Sequence, residues 1–191
     1  MDGRYTIFLL AEGKNLELVS SLRDKLSDLA RIPKTPPHIT LREDFFSKNI
    51  DGFIDEYIQK IKGISPFIVE FSGVDVFQRG HVVFKVVNNS SLQRLHEITV
   101  ELSQKYVSVP RVREFECELN EEQKVLAEKY QLPFYFKYYN PHMTIVQLSD
   151  FGVREKVLNE IKKAHSPASF LVENVCIYDK LTKDVYKFVK L

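Results

Sequence analysis

The pattern Pro-His-x-Thr occurs twice, as Pro37-His38-Ile39-Thr40 and Pro141-His142-Met143-Thr144, 104 residues apart in a chain of 191. Each copy continues into an apolar residue, Leu41 or Ile145, and then into a segment with helical spacing. After the first helical segment comes Ile61-Lys62-Gly63-Ile64-Ser65-Pro66, and after the second Ile161-Lys162-Lys163-Ala164-His165-Ser166-Pro167, each leading into a hairpin-like run. A strand and a helix also precede each copy, at 5–30 and 81–106. Recurrence of the same elements in the same order implies a duplicated unit, around 38–87 and 142–190. The expected architecture is α+β: one domain over 1–191 made of two lobes about a pseudo-twofold axis. Two mainly antiparallel sheets flank a central cleft, with helices outside.

The element pattern fills in this outline. Alternating or continuous apolar runs predict strands at 5–11, 38–44, 66–77, 81–87, 142–148, 168–178 and 183–190. Apolar residues at helical spacing predict helices over 16–30, 48–62, 90–106 and 150–164, and the charged stretch 120–130 reads as a further helix. The Pro-rich Ile32-Pro33-Lys34-Thr35-Pro36-Pro37 ends the first helix and forces extended backbone into His38. Residues 108–140 have no counterpart in the first half and read as an insertion. It mixes Arg111, Arg113, Lys124 and Lys129 with several glutamates, and it carries the aromatic run Phe134-Tyr135-Phe136-Lys137-Tyr138-Tyr139.

Side chains alternate across a strand, so His38, Thr40 and Arg42 share one face, and His142 and Thr144 share another. A twofold relation brings the two imidazoles and two hydroxyls to opposite walls of one cleft. Two facing histidines suit in-line attack on a phosphodiester, since one imidazole takes a proton from the nucleophile while one imidazolium protonates the leaving oxygen. Thr40 and Thr144 donate to non-bridging phosphate oxygens, and Arg42 either adds charge there or pairs with Glu43 or Asp44 at the surface. The scheme calls for no metal and no cofactor. Only six threonines and five histidines occur, so the matched pair is not a product of composition.

The two motifs resemble the paired H-x-T/S-x motifs of the 2H phosphoesterase superfamily, in particular its LigT-like and YjcG-like branch, the 2'-5' RNA ligase family. The resemblance spans nearly the whole chain. It implies a bilobal fold with a central cleft and metal-independent hydrolysis of a 2',3'-cyclic phosphate to a 2'-phosphate, with ATP-independent 2'-5' RNA ligation as a reverse activity. It places His38 and His142 as the catalytic pair and Thr40 and Thr144 as phosphate ligands. The chain has Gln147 five residues after the second histidine, where LigT-like proteins often carry arginine. The alternatives are a phosphodiesterase for 2',5'-oligonucleotides or a small cyclic phosphate, and a non-catalytic module binding nucleotides or RNA ends.

Composition narrows the partners. With 27 Lys+Arg against 26 Asp+Glu and a net charge of +1, the surface is too balanced to coat a duplex, so the expected ligand is an RNA terminus or a small nucleotide. Tyr138 and Tyr139 either stack a base or bury their rings between the lobes. His81, His96 and His165 lack the repeated context and read as structural or solvated. Cys117 and Cys176 form no C-x-x-C pair, which argues against a disulfide framework or a zinc cluster and suits a reducing cytosol. Gly13-Lys14 lacks the earlier glycine of a Walker loop, and no G-x-G-x-x-G occurs. The apolar run Ile7 to Ala11 is far shorter than a signal-peptide core or a membrane span. The expectation is a cytoplasmic monomer.

Overall fold

The computed structural model describes residues 2–110, 114–115, 117–164 and 167–191. His165, Arg111, Arg113 and Glu116 therefore lie outside the described residues. The chain begins with β1 (Gly3–Leu10), α1 (Gly13–Leu26), β2 (His38–Ser47) and α2 (Ile50–Ile61), followed by β3 (Phe67–Val69) and β4 (Phe71–Val76). β5 (His81–Val86), α3 (Ser90–Gln104), α4 (Glu121–Tyr130), β6 (His142–Gln147) and α5 (Arg154–Lys163) come next. β7 (Phe170–Val172), β8 (Asn174–Asp179) and β9 (Asp184–Lys190) close the chain. Local chemistry sets the helix starts. Asn49 and Asn89 each accept a backbone N–H of the turn they precede, and Asn120 forms a reciprocal capping box with Gln123.

The fold is α+β, with a large antiparallel sheet and a small second one among the described residues. Seven strands run in the order β4-β5-β6-β2-β1-β8-β9, and β3 pairs with β7 in the two-stranded sheet. β6 and β2 meet through one Cα pair, Ile39 with Met143. These are the residues that follow the two histidines. The small sheet is centred on Ile68 opposite Leu171. Helices cover the face on which Ile7, Leu9, Ile39, Leu41, Met143 and Ile145 are buried with Val19, Leu22, Phe53, Tyr57 and Leu95.

The strands expected as continuous at 66–77 and 168–178 each divide. β3 and β4 part at Glu70, and β7 and β8 part at Glu173. At each break the glutamate carbonyl accepts a backbone N–H from the end of another strand, Val87 (2.8 Å) and Leu191 (2.9 Å) respectively. One apolar run thus serves two sheets, and alternation along it carries no sign of the change of partner.

A second departure falls beside the motifs. On β2, Thr40 pairs with Phe8 but Arg42 pairs with Ile7, so Leu41 is an extra residue. On β6, Thr144 pairs with Val83 and Val146 with Val82, so Ile145 is the extra residue there. A β-bulge therefore follows each motif threonine and turns the next side chain to the opposite face.

The segment over 117–140 packs on α3 through its own small core, in which Tyr130 and Tyr135 bury against Val100. His96 of α3 fixes it further. Its Nδ1–H donates to Leu41 O (2.8 Å), its Nε2 accepts the Phe136 N–H (3.1 Å), and its ring lies flat on Tyr139 at 3.7 Å. Burial pushes its pKa down to about 4 and the nearby Arg42 charge adds to the fall, against the opposing pull of the bond to Leu41 O.

Candidate active site

Each motif histidine is held by the carbonyl two residues before it. The His38 Nδ1–H donates to Pro36 O at 2.6 Å, and the His142 Nδ1–H donates to Asn140 O at 2.8 Å. A carbonyl only accepts, so both rings keep the proton on Nδ1 and leave Nε2 as the basic nitrogen. The carbonyls used belong to Pro36 and Asn140, the residues that Pro37 and Pro141 bias away from helical backbone. Ring packing completes the orientation. His38 stacks on Phe8 at 4.3 Å, and His142 meets Phe77 edge-on at 4.7 Å.

The seam register sets the four motif side chains. Ile39 and Met143 are paired and both enter the core, so His38, Thr40, His142 and Thr144 leave the sheet on its other face. Continued by one residue each way, the register puts His38 across from Thr144 and Thr40 across from His142. All four are half-buried. Neither threonine hydroxyl has a hydrogen-bond partner among the described residues.

The electrostatic surroundings of the two rings differ. Burial lowers the His38 pKa to about 4 against the pull of Pro36 O, and the positive charges of Arg23, Lys180 and His142 add to the fall. The His142 pKa is also lowered by burial, but the Asn140 bond and the Glu43 carboxylate oppose the shift. His81, half-buried nearby, titrates below its ordinary value because of burial and the charge of His142.

Arg42 does not join this face. The bulge at Leu41 turns it inward, where its side chain is 1% exposed. Its Nε donates to Ser103 Oγ at 3.1 Å, one Nη donates to the Tyr135 hydroxyl, and the guanidinium lies 5.5 Å from the Phe45 ring. Strict alternation fails at this residue, and both readings offered for Arg42, phosphate ligand and surface ion pair, give way to a buried tie between β2, α3 and Tyr135.

A cleft of about 490 Å³ opens from Thr40 and His142 toward Leu132 and Phe134. Phe77, Phe115, Phe134, Tyr138 and Tyr139 form its walls, and Glu43 and Glu114 reach it. Both tyrosines are engaged with the protein. Tyr139 donates its hydroxyl to Thr40 O (2.8 Å) and gives one ring face to His96, while Tyr138 donates to Glu122 (2.7 Å) and lies beneath Lys137. Phe134, 41% exposed and edge-on to Phe115, offers apolar surface.

Sequence reasoning missed Phe8, Phe77, the two carbonyl anchors and Arg23, a buried arginine of α1 that bonds the backbone of both halves. Arg23 left a signal: it falls on the apolar stripe formed by Val19, Leu22 and Leu26. The carbonyl anchors left none, since any residue supplies one. Cys117 and Cys176 are free thiols, and no group of three or more His, Cys, Asp or Glu side chains among the described residues could share a cation. No helix among the described residues is long and apolar enough to cross a membrane.

Residues 12–184 match the 2'-5' RNA ligase superfamily. The chain belongs to that superfamily, the 2H phosphoesterases. Among solved structures, the apo form of Escherichia coli LigT aligns over 100% of this chain and 95% of its own, at 13% identity and a TM-score of 0.56. E. coli LigT in complex with 3'-AMP aligns over the same shares at 12% identity and a TM-score of 0.56. Usb1 of Kluyveromyces marxianus aligns over 99% of this chain and 98% of its own, at 14% identity and a TM-score of 0.50. At these identities the likeness is one of fold. No curated protein matches. Membership supports an enzyme of the phosphoesterase or ligase type.

Proposed function

We propose that this protein is a phosphodiesterase that opens a 2',3'-cyclic phosphate, on an RNA end or a free nucleotide, by paired-histidine acid–base catalysis without a metal ion. The carrying observation is that two histidines at matching positions are locked in the same tautomer, each by the carbonyl two residues before it and each opposite an unengaged threonine hydroxyl. We read the chain as one domain of two lobes, with repeat units over 38–87 and 142–190 and an insertion over 108–140. The bulge repeated after each motif supports that reading.

In this mechanism Nε2 of one histidine takes a proton from water as its oxygen bonds to phosphorus. The P–O3' bond breaks, the other histidine protonates O3', and a 2'-phosphate remains. Thr40 and Thr144 donate to the non-bridging oxygens, which gain charge in the transition state. We assign His38 as the base and His142 as the acid. Arg23 and Lys180 disfavour a proton on His38, whereas Glu43 favours one on His142. With a 5'-hydroxyl in place of water, the same steps give an ATP-independent 2'-5' linkage.

The cleft beside His142 is the seat we assign to the nucleoside, with the base against Phe134 and Phe115 rather than between Tyr138 and Tyr139. The 3'-AMP bound by LigT is consistent with a nucleotide ligand. Purified protein in EDTA, offered nucleoside 2',3'-cyclic phosphates, RNA with a cyclic end and 2',5'-linked dinucleotides, tests the reading by product analysis. A 2'-phosphate from the cyclic substrates supports it. Turnover of the 2',5' dinucleotides alone favours the alternative phosphodiesterase, and binding without turnover favours a recognition module.

A further inference from the structure

Between β2 and β6 there is one ladder pair, so the spacing of the two motifs depends on other ties. One is Arg23 of α1. Its Nη2 donates to Thr144 O at 3.0 Å and its Nε to Ile145 O at 3.0 Å, while its Nη1 donates to Thr35 O at 2.8 Å. Thr144 is the threonine of the second motif. Thr35 adjoins Pro36, whose carbonyl holds the His38 ring. A single planar fork thus fastens the backbone under Thr144 to the backbone that orients His38, the two residues the seam register sets across from one another. Arg23 is 8% exposed and has no carboxylate partner among the described residues. Burying a charge against carbonyl dipoles alone is costly, and a mechanical tie has no need of the charge. Only guanidinium combines three fixed donors with a permanent positive charge.

We propose that Arg23 is a positioning residue of the paired-histidine site, setting the distance of His38 from Thr144 and keeping a permanent positive charge behind the seat of the phosphate. This rests on the phosphodiesterase reading above. Arg23 touches no substrate and acts through Thr35, Thr144 and Ile145. The charged and titratable groups that face His38 are Arg23, Lys180 and His142, and of these only Arg23 also grips the backbone of both motif segments.

The test compares Arg23→Lys and Arg23→Gln with wild type by kcat and KM on a nucleoside 2',3'-cyclic phosphate, by NMR titration of His38, and by affinity for inorganic phosphate. Arg23→Lys keeps the charge but loses the fork, and kcat falls about 10–100-fold with KM within about threefold, the scale of a misplaced reacting group. Its His38 titration stays near that of wild type. Arg23→Gln loses both properties, so kcat falls at least as far and the His38 midpoint rises. A folded Arg23→Lys with wild-type kcat overturns the positioning role, and an unmoved His38 midpoint in Arg23→Gln overturns the charge role. If neither variant folds, the Arg23 Nε–H resonance of wild type is followed through the His38 titration. A shift at the His38 midpoint supports the coupling, and invariance overturns it. If wild type hydrolyses no cyclic phosphate, the phosphodiesterase reading falls separately. Phosphate affinity and the His38 midpoint in the variants then decide the role of Arg23, which unchanged values of both overturn.

Discussion

Replacing Arg42 separates a phosphate ligand from a buried structural tie. Arg42→Ala removes two charge-assisted hydrogen bonds, to Ser103 and Tyr135, each worth roughly 1.5–3 kcal/mol. It also empties the space the side chain fills between Phe45 and Tyr135. Against these losses stands relief from desolvating a guanidinium, one of whose Nη atoms has no hydrogen-bond partner among the described residues. The net expectation is a loss of about 3 kcal/mol, a fall of roughly 6–12 °C in Tm for a chain of this size. Arg42→Met fills most of the same volume with no charge, and it should stay within about 1.5 kcal/mol of wild type, because a buried ion exchanged for a well-packed apolar group is often neutral. Urea denaturation monitored by circular dichroism gives both values, and kcat and KM on a cyclic phosphate give the functional readout. Arg42→Met should keep kcat within about threefold of wild type. A stable Arg42→Met that loses 10²-fold or more in kcat would refute the inward placement and restore Arg42 to the phosphate.

Other expectations concern titration and the cleft. His96 and His38 are neutral in the fold and titrate near 4, so the unfolded chain binds more protons below its histidine range, and stability falls as pH drops from about 6.5 to 4. The fully buried His96 contributes on the order of 3 kcal/mol to that fall, and the pH slope of the urea midpoint should flatten in His96→Asn. With His38 as base and His142 as acid, kcat/KM peaks between about pH 4 and 6.5, and an optimum above pH 8 contradicts the assignment. Phe134→Ala should raise KM or substrate Kd by about 5–100-fold with kcat little changed, the scale of one lost base stack, as measured by steady-state kinetics or calorimetry. Tyr139→Phe loses the bond to Thr40 O and should cost about 0.5–1.5 kcal/mol in urea denaturation, whereas Tyr139→Ala also exposes His96 and costs more.

The pairing of Pro-His-x-Thr with Pro-His-x-Thr was legible because it carries its own register. Proline fixes the entry, alternation fixes the face, and the second copy supplies the strand that pairs beside the first. The element order was legible for similar reasons, since the apolar spacings of α2 and α3 and the asparagines that cap them are local. Alternation could not reveal where a strand adds a residue, so the bulges at Leu41 and Ile145 stayed hidden and Arg42 was placed on the wrong face. Nor could it reveal a change of partner, so β3 and β4 read as one strand. The tyrosine pair read either as a stacking surface or as buried rings because only ring content is visible in sequence, while the contacts those residues make, to His96, Thr40 and Glu122, come from other elements.

The central claim is that His38 and His142 are two halves of one proton relay. Steady-state hydrolysis of a nucleoside 2',3'-cyclic phosphate in EDTA by wild type, His38→Ala and His142→Ala tests it most directly. The account predicts a wild-type rate that EDTA leaves unchanged and a fall of about 10²–10⁴-fold in kcat in each variant. A folded variant of either histidine that turns over at the wild-type rate would contradict it.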